Sequence, residues 1–271
     1  MTSAEASSLP PTLPDWASIW ESTLGWMPTS SQQQQFQALY AQILEGNRQL
    51  NLTRITEPVE FSEKHLWDSL RGIQDLLSPP LAAPSPAPES PKSSSPFSAI
   101  DIGTGAGFPG IPIAIVQPEW TVTLLDSTRK KITFLEQMLK TLELPNVKTL
   151  VGRVEEVGQQ RYYRAQYDLA LIRAVSGASV GAEYTLPLLR VGGLAVLYRG
   201  QWTEAEAEAL ERATDLLGGK IEAIAAFKTP ISQSDRHCIY LRKVKQTPAP
   251  YPRLIGIPEQ KPLGIAKIET D

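Results

Sequence analysis

With 271 residues, 42% of them hydrophobic, the chain has material for one catalytic-sized domain and an appendage, and a formal net charge of -3 speaks against a partner held by bulk phosphate attraction alone. A single cysteine, Cys238, excludes an intramolecular disulfide, and the two histidines, His65 and His237, lie too far apart in sequence to suggest a zinc site. The start MTSAEASSLPPTLP has neither a basic region nor an apolar run, and no stretch is long enough to span a bilayer, so a soluble cytoplasmic protein is expected.

In chain order, residues 1–14 are small and rich in Ser and Pro, the composition of a disordered tail. Trp16, Ile19 and Trp20, then Phe36, Leu39, Tyr40, Ile43 and Leu44, then Phe61, Leu66, Leu70, Ile73, Leu76 and Leu77 recur at helical spacing, which predicts a small helical subdomain over 15–77. Residues 78–97 are dominated by proline and serine and read as a linker or inserted loop. From 98 to 245 short apolar runs (AIDI, VTLLD, VKTLV, YDLALI, LAVLYR) alternate with amphipathic stretches of helical length, the pattern of a parallel sheet covered on both faces. IEAIAAF and HCIYLRKV then suggest an antiparallel pair at the sheet edge, and 246–271 form a basic tail.

The stretch IDIGTGAGFPGIPIAI places Gly103, Gly105 and Gly107 between a strand and a helix, where the backbone turns tightly and approaches a ligand. Asp126 closes the next apolar run, at the interval where nucleotide-binding sheets present an acid to ribose hydroxyls; a helix cap is the plainer role for such an acid. Two nucleoside ligands compete. A dinucleotide asks for glycine where the chain has Phe108, whereas an acid two residues before G-x-G-x-G, the pattern of class I methyltransferases, fits Asp101 through Gly107 without exception.

Several segments together, NLTRIT, HLWDSL, DIGTGAGFPGIPIAI, LLDSTRKKITFL, GRVEEV, IRAV, LYRGQ, DRH and YPRLIGIPEQKPLG, resemble the RsmG or GidB family of bacterial small-subunit rRNA guanine-N7 methyltransferases. The resemblance implies an α/β class I S-adenosylmethionine-dependent fold, Rossmann-like, with a mostly parallel seven-stranded sheet and an N-terminal helical subdomain. It implies S-adenosylmethionine as cofactor, 16S rRNA or the small ribosomal subunit or its assembly intermediate as partner, no metal and no membrane, and a monomer. Cofactor contacts would fall on Asp101, Gly103, Gly105, Gly107, Phe108, Asp126, Ser127, Thr128, Val154, Glu155 and Arg173. Arg173, Arg199, Arg236 and His65 would position the substrate, His65 and Trp67 otherwise packing the helices on the sheet. RNA contact is expected from clustered cations: Arg129, Lys130 and Lys131; Arg190 and Arg199; Arg236, Arg242, Lys243 and Lys245; Arg253, Lys261 and Lys267. The chain departs from the family at Arg199, usually lysine, and in its tail at Leu254, Ile257 and Glu259. An NAD(P)-dependent oxidoreductase and a noncatalytic RNA-binding assembly factor are the alternatives.

Overall fold

The computed structural model describes residues 11–77 and 96–265. Most of the expected tail (1–10), most of the Pro/Ser segment (78–95) and residues 266–271, with Lys267, lie outside the described residues. Residues 11–14 lie against the second helix, where the Gln37 side chain accepts from the Leu13 amide and donates to the Pro11 carbonyl.

The N-terminal part consists of α1 (Ala17–Leu24), α2 (Ser30–Leu50), α3 (Pro58–Phe61) and α4 (Asp68–Arg71), the last two joined by one continuous π-helical turn, Ser62–Trp67. Thr29 and Gln32 close α2 with a reciprocal capping box that satisfies donors the first turn leaves unpaired. β1 (Ser98–Ile102), α5 (Gly110–Val116), β2 (Thr121–Asp126), α6 (Arg129–Thr141) and β3 (Val147–Val151) follow. Then come α7 (Val154–Val157), β4 (Tyr167–Arg173), α8 (Ala178–Thr185), β5 (Leu189–Arg199), α9 (Glu204–Leu217), β6 (Gly219–Lys228), β7 (Asp235–Lys243) and α10 (Ile257–Gln260).

The strands form one seven-stranded sheet in the order β3-β2-β1-β4-β5-β7-β6. Only β7 runs antiparallel, and it inserts between β5 and β6, so the terminal hairpin enters the sheet with its second strand inward. The chain changes direction of travel between β1 and β4, and a crevice opens at such a switch point beyond the carboxyl ends of the strands.

Two apolar clusters flank the sheet. One contains Ile100, Leu125, Tyr184, Leu197, Leu210 and Ile239, under α7, α8 and α9. The other runs without a break from Trp16, Trp20, Phe36, Tyr40, Phe61 and Trp67 through Ile111, Leu124, Ile132 and Leu135 to Val196. The N-terminal helices thus share a core with the α5–α6 face, and their apolar periodicity is spent on the sheet.

Candidate functional site

The site begins with Asp101, fully buried near the end of β1 because its neighbours Ile100 and Ile102 are core residues. Its Oδ2 accepts from the Thr104 hydroxyl at 2.6 Å and from the Gly110 amide at 2.9 Å, pinning the loop between β1 and α5 from beneath. Burial raises its pKa to about 6 in spite of these donors. Asp101 therefore occupies the first amide of α5, where a dinucleotide would place its pyrophosphate. A second anion there would meet a carboxylate, which opposes the oxidoreductase alternative.

Above Asp101 the chain passes through Gly103, Gly105 and Gly107 at φ of 67°, 59° and 97°. The three glycines serve different ends. A Cβ on Gly107 would stand 2.4 Å from Ile111 Cδ1, and one on Gly103 would stand 2.5 Å from Val175 Cγ2, so at both packing adds to the requirement of the left-handed backbone. At Gly105 the same atom would meet nothing nearer than the Gly103 carbonyl at 3.9 Å: that glycine is required by its left-handed backbone and looks onto open space.

Asp126, at the end of β2, accepts from the Gly105 amide at 3.0 Å and the Thr128 amide at 2.8 Å, with Lys131 Nζ 3.9 Å away. It joins the two loops and forms a wall of a cleft of about 220 Å³. Gly103, Asp126, Ser127, Thr128, Val154 and Glu155 all line this cleft, joined by Arg153, Tyr184 and Glu259. Glu155 is buried, with Oε1 accepting from Arg153 at 3.0 Å, the Tyr184 hydroxyl at 3.1 Å and the Gly256 amide at 3.1 Å. Its other oxygen, also buried, has no partner. These donors hold its pKa below the ordinary carboxylate value against the effect of burial. An apolar wall at Val154, a carboxylate at Asp126 and an unpaired buried acceptor at Glu155 fit an adenosine-bearing group, whose hydroxyls and exocyclic amine need acceptors.

Phe108 lies elsewhere. Its ring stacks on His65 at 4.2 Å and 8°, meets Phe61 edge-on and stands 5.8 Å from the Arg173 guanidinium. His65 in turn contacts Thr53 Oγ1 through Nε2 at 2.9 Å and Arg173 Nη2 through Nδ1 at 3.3 Å. Because a guanidinium can only donate, Nδ1 is the acceptor and Nε2 carries the proton. Burial, Arg173 and Lys64 push the pKa of His65 well below the ordinary value, so the ring is neutral. Arg173 is the last residue of β4; its Nη1 donates to the Lys64 carbonyl at 2.8 Å and to Asp68 Oδ2 at 3.3 Å, while Arg236 Nε lies 3.9 Å from the other Asp68 oxygen.

Of the four residues expected to position substrate, Arg173 and Arg236 thus meet around one carboxylate, and His65 joins them through Arg173. Arg199 does not join them: it donates to the Ser176 carbonyl at 2.7 Å and to Glu206 at 2.6 Å, tying the loop after β4 to α9. Asp68, Thr53 and Glu63 escaped the sequence reading although Thr53 stands in NLTRIT and Asp68 in HLWDSL. The available signal was an acid at the edge of an apolar helical stripe. Glu63 is buried and accepts from the Ile231 and Ser232 amides, fastening the β6–β7 turn to the π-helical turn.

Among the cations expected to meet RNA, Lys243 is corrected. It is 1% exposed, with its ammonium on the Leu186 carbonyl and the Thr247 hydroxyl, because β7 is a central strand. Arg190, Arg242 and Arg253 are engaged by Asp168, Glu222 and Glu183. Among the described residues there is no group of three or more His, Cys, Asp or Glu able to hold a metal ion, and no helix long and apolar enough to cross a membrane.

The strand order with a single reversed strand, and the acid-bearing glycine loop opening on a cleft at the strand ends, define a class I methyltransferase. Residues 32–239 match the family described as rRNA small subunit methyltransferase G, and the chain belongs to that family. The Ribosomal RNA small subunit methyltransferase G of Nostoc punctiforme is 61% identical over 251 residues, 93% of this chain and 98% of its own length. That of Synechococcus elongatus is 56% identical over 245 residues, 90% of this chain and 96% of its own length. Among solved structures, the antibiotic-resistance methyltransferase Kmr superposes with a TM-score of 0.48 at 14% identity, over 57% of this chain and 90% of that one. The chain is an enzyme, a methyltransferase whose methyl donor is S-adenosylmethionine.

Proposed function

We propose that the chain, as a monomer, methylates N7 of a guanine in 16S rRNA, presented as free RNA or within the small subunit or its assembly intermediate. The observation that carries this reading is the cleft at the ends of β1, β2 and β3, where Asp126 joins the glycine loop to the following strand and Glu155 keeps one buried oxygen unpaired. The relatives' printed names supply the ribosomal RNA.

In this reading Gly103, Gly105, Asp126, Ser127, Thr128, Val154 and Glu155 hold the cofactor. Asp101 and Gly107 shape the loop from behind, and Phe108 links it to the helices. Bound S-adenosylmethionine supplies an electrophilic methyl on sulfonium sulfur. Guanine N7 carries an in-plane lone pair and no proton at neutral pH, so it could take the methyl from the bound donor, which would leave as a neutral thioether. No proton moves, so no general base is required, and the neutral, doubly engaged His65 is consistent with that. The protein's task is orientation, worth about 7–11 kcal/mol at its best, with Arg173, Arg236 and His65 forming the acceptor side.

Mapping modified nucleotides by mass spectrometry in rRNA from cells with and without the protein tests the reading. One N7-methylguanine of the small subunit is expected to disappear; an unchanged map would refute it. Gly105→Asp places a carboxylate beside Asp126 in a left-handed conformation, and both cofactor binding and methyl transfer are expected to be lost.

A further inference from the structure

The π-helical turn and the first residue of α4 reach three parts of the site at once. Glu63 holds the β6–β7 turn, His65 lies between the Phe108 ring and Arg173, and Asp68 stands between Arg173 and Arg236. Such turns are rare and concentrate at functional sites. Sheet register explains why Asp68 finds two guanidiniums: Arg173 pairs with Tyr198 across β4 and β5, and Arg199 pairs with His237 across β5 and β7, so Arg173 and Arg236 emerge at the same edge of the sheet from strands two apart.

We propose that Asp68 is a positioning residue for methyl transfer: its buried carboxylate sets the Arg173 and Arg236 guanidiniums beside the acceptor base and offsets their charge while the base becomes cationic. The inference rests on the acceptor reading above and deepens it. Arg173 spends its contacts on the Lys64 carbonyl, His65 and Asp68, and Arg236 spends Nη1 on the Asp235 carbonyl, which leaves Arg236 Nη2 for an acceptor oxygen. A guanidinium suits the O6 edge of guanine. The reaction, however, moves a positive charge from sulfur onto that base, and two uncompensated guanidiniums would oppose it in a site sheltered from water. With Asp68 between them the cluster of three side chains carries one net positive charge, enough to attract an oxygen and less hostile to the cationic product. The same carboxylate holds the Arg173 fork by a hydrogen bond to Oδ2 at 3.3 Å, while Oδ1 draws Arg236 by charge at 3.9 Å.

The test compares wild type, Asp68→Asn, Arg236→Gln and the double variant in methyl transfer to small-subunit RNA lacking the modification, with cofactor binding by calorimetry and thermal melting measured alongside. Asp68→Asn is expected to lower kcat by on the order of 10²-fold while leaving KM for RNA and cofactor affinity within about threefold. Arg236→Gln should also lower kcat, and the double variant should fall well short of the product of the two losses. Asp68→Glu, which retains the charge, should recover more of kcat than Asp68→Asn. Multiplying losses, or a kcat for Asp68→Asn within about twofold of wild type, would overturn the proposal; so would loss of cofactor affinity and melting temperature in step with activity, which marks a merely structural role. A wild-type protein forming no N7-methylguanine would instead remove the functional reading itself.

Discussion

A carboxylate with no exposed surface, such as Asp101, makes stability depend on pH in the unusual direction. Its pKa rises from the ordinary 3.8 to about 6 on folding, through burial, so the folded protein favours the protonated form more than the unfolded chain does. The stabilising contribution is complete below pH 3.8 and is lost as pH rises through 6, a swing of about 3 kcal/mol between the two states. Asp101→Asn retains an acceptor for Thr104 and Gly110 without the titration. The stability difference between wild type and this variant, from urea unfolding of the cofactor-free protein, is therefore expected to shift in favour of wild type between pH 7 and pH 4.

At the scale of elements, the segment after β7 has no regular structure until α10, yet several of its carbonyls are met by side chains that follow α7. Arg164 donates to the carbonyls of Thr247, Pro248 and Tyr251, Gln159 to those of Ala249 and Pro252, and Arg253 grips Glu183. The basic character read from this tail is thus turned inward at Arg253. Glu183 is fully buried on α8, so Arg253→Ala would leave an unpaired charge in the core and is expected to destabilise by about 3 kcal/mol. Adding Glu183→Gln should restore part of that loss in the same denaturant titration. The segment also brings the Gly256 amide to Glu155, so the single variant should weaken cofactor binding as well.

For the molecule as a whole, the unbroken core from Trp16 to Val196 implies that the N-terminal helices do not melt apart from the sheet. Four of the six tryptophans, Trp16, Trp20, Trp26 and Trp67, lie in the helical part. Tryptophan fluorescence and far-ultraviolet circular dichroism should therefore report one coincident urea transition. Cys238 is buried on β7 and burial pushes its thiol pKa up, so a thiol reagent should react only at the rate of global opening. An early fluorescence transition, or prompt labelling, would show that the helices detach.

The local order of the chain determined the strands and helices of the sheet, because alternating apolar runs and a glycine turn bounded by an acid are short-range signals. It also marked Asp126, which ends a strand at the rim, whereas Val154 and Glu155 came from the resemblance of GRVEEV to the family. Tertiary structure alone decided what the charged side chains do there. The partners of Arg173 come from residues 64, 65 and 68, more than a hundred positions away, and that meeting depends on how a π-helical turn packs on a switch in strand order. Lys243 and Arg253 read as exposed cations until a central strand and a buried glutamate claimed them. Hydrophobic periodicity specifies which face is buried, but the partner of a charge is set by three-dimensional proximity, which no local pattern encodes.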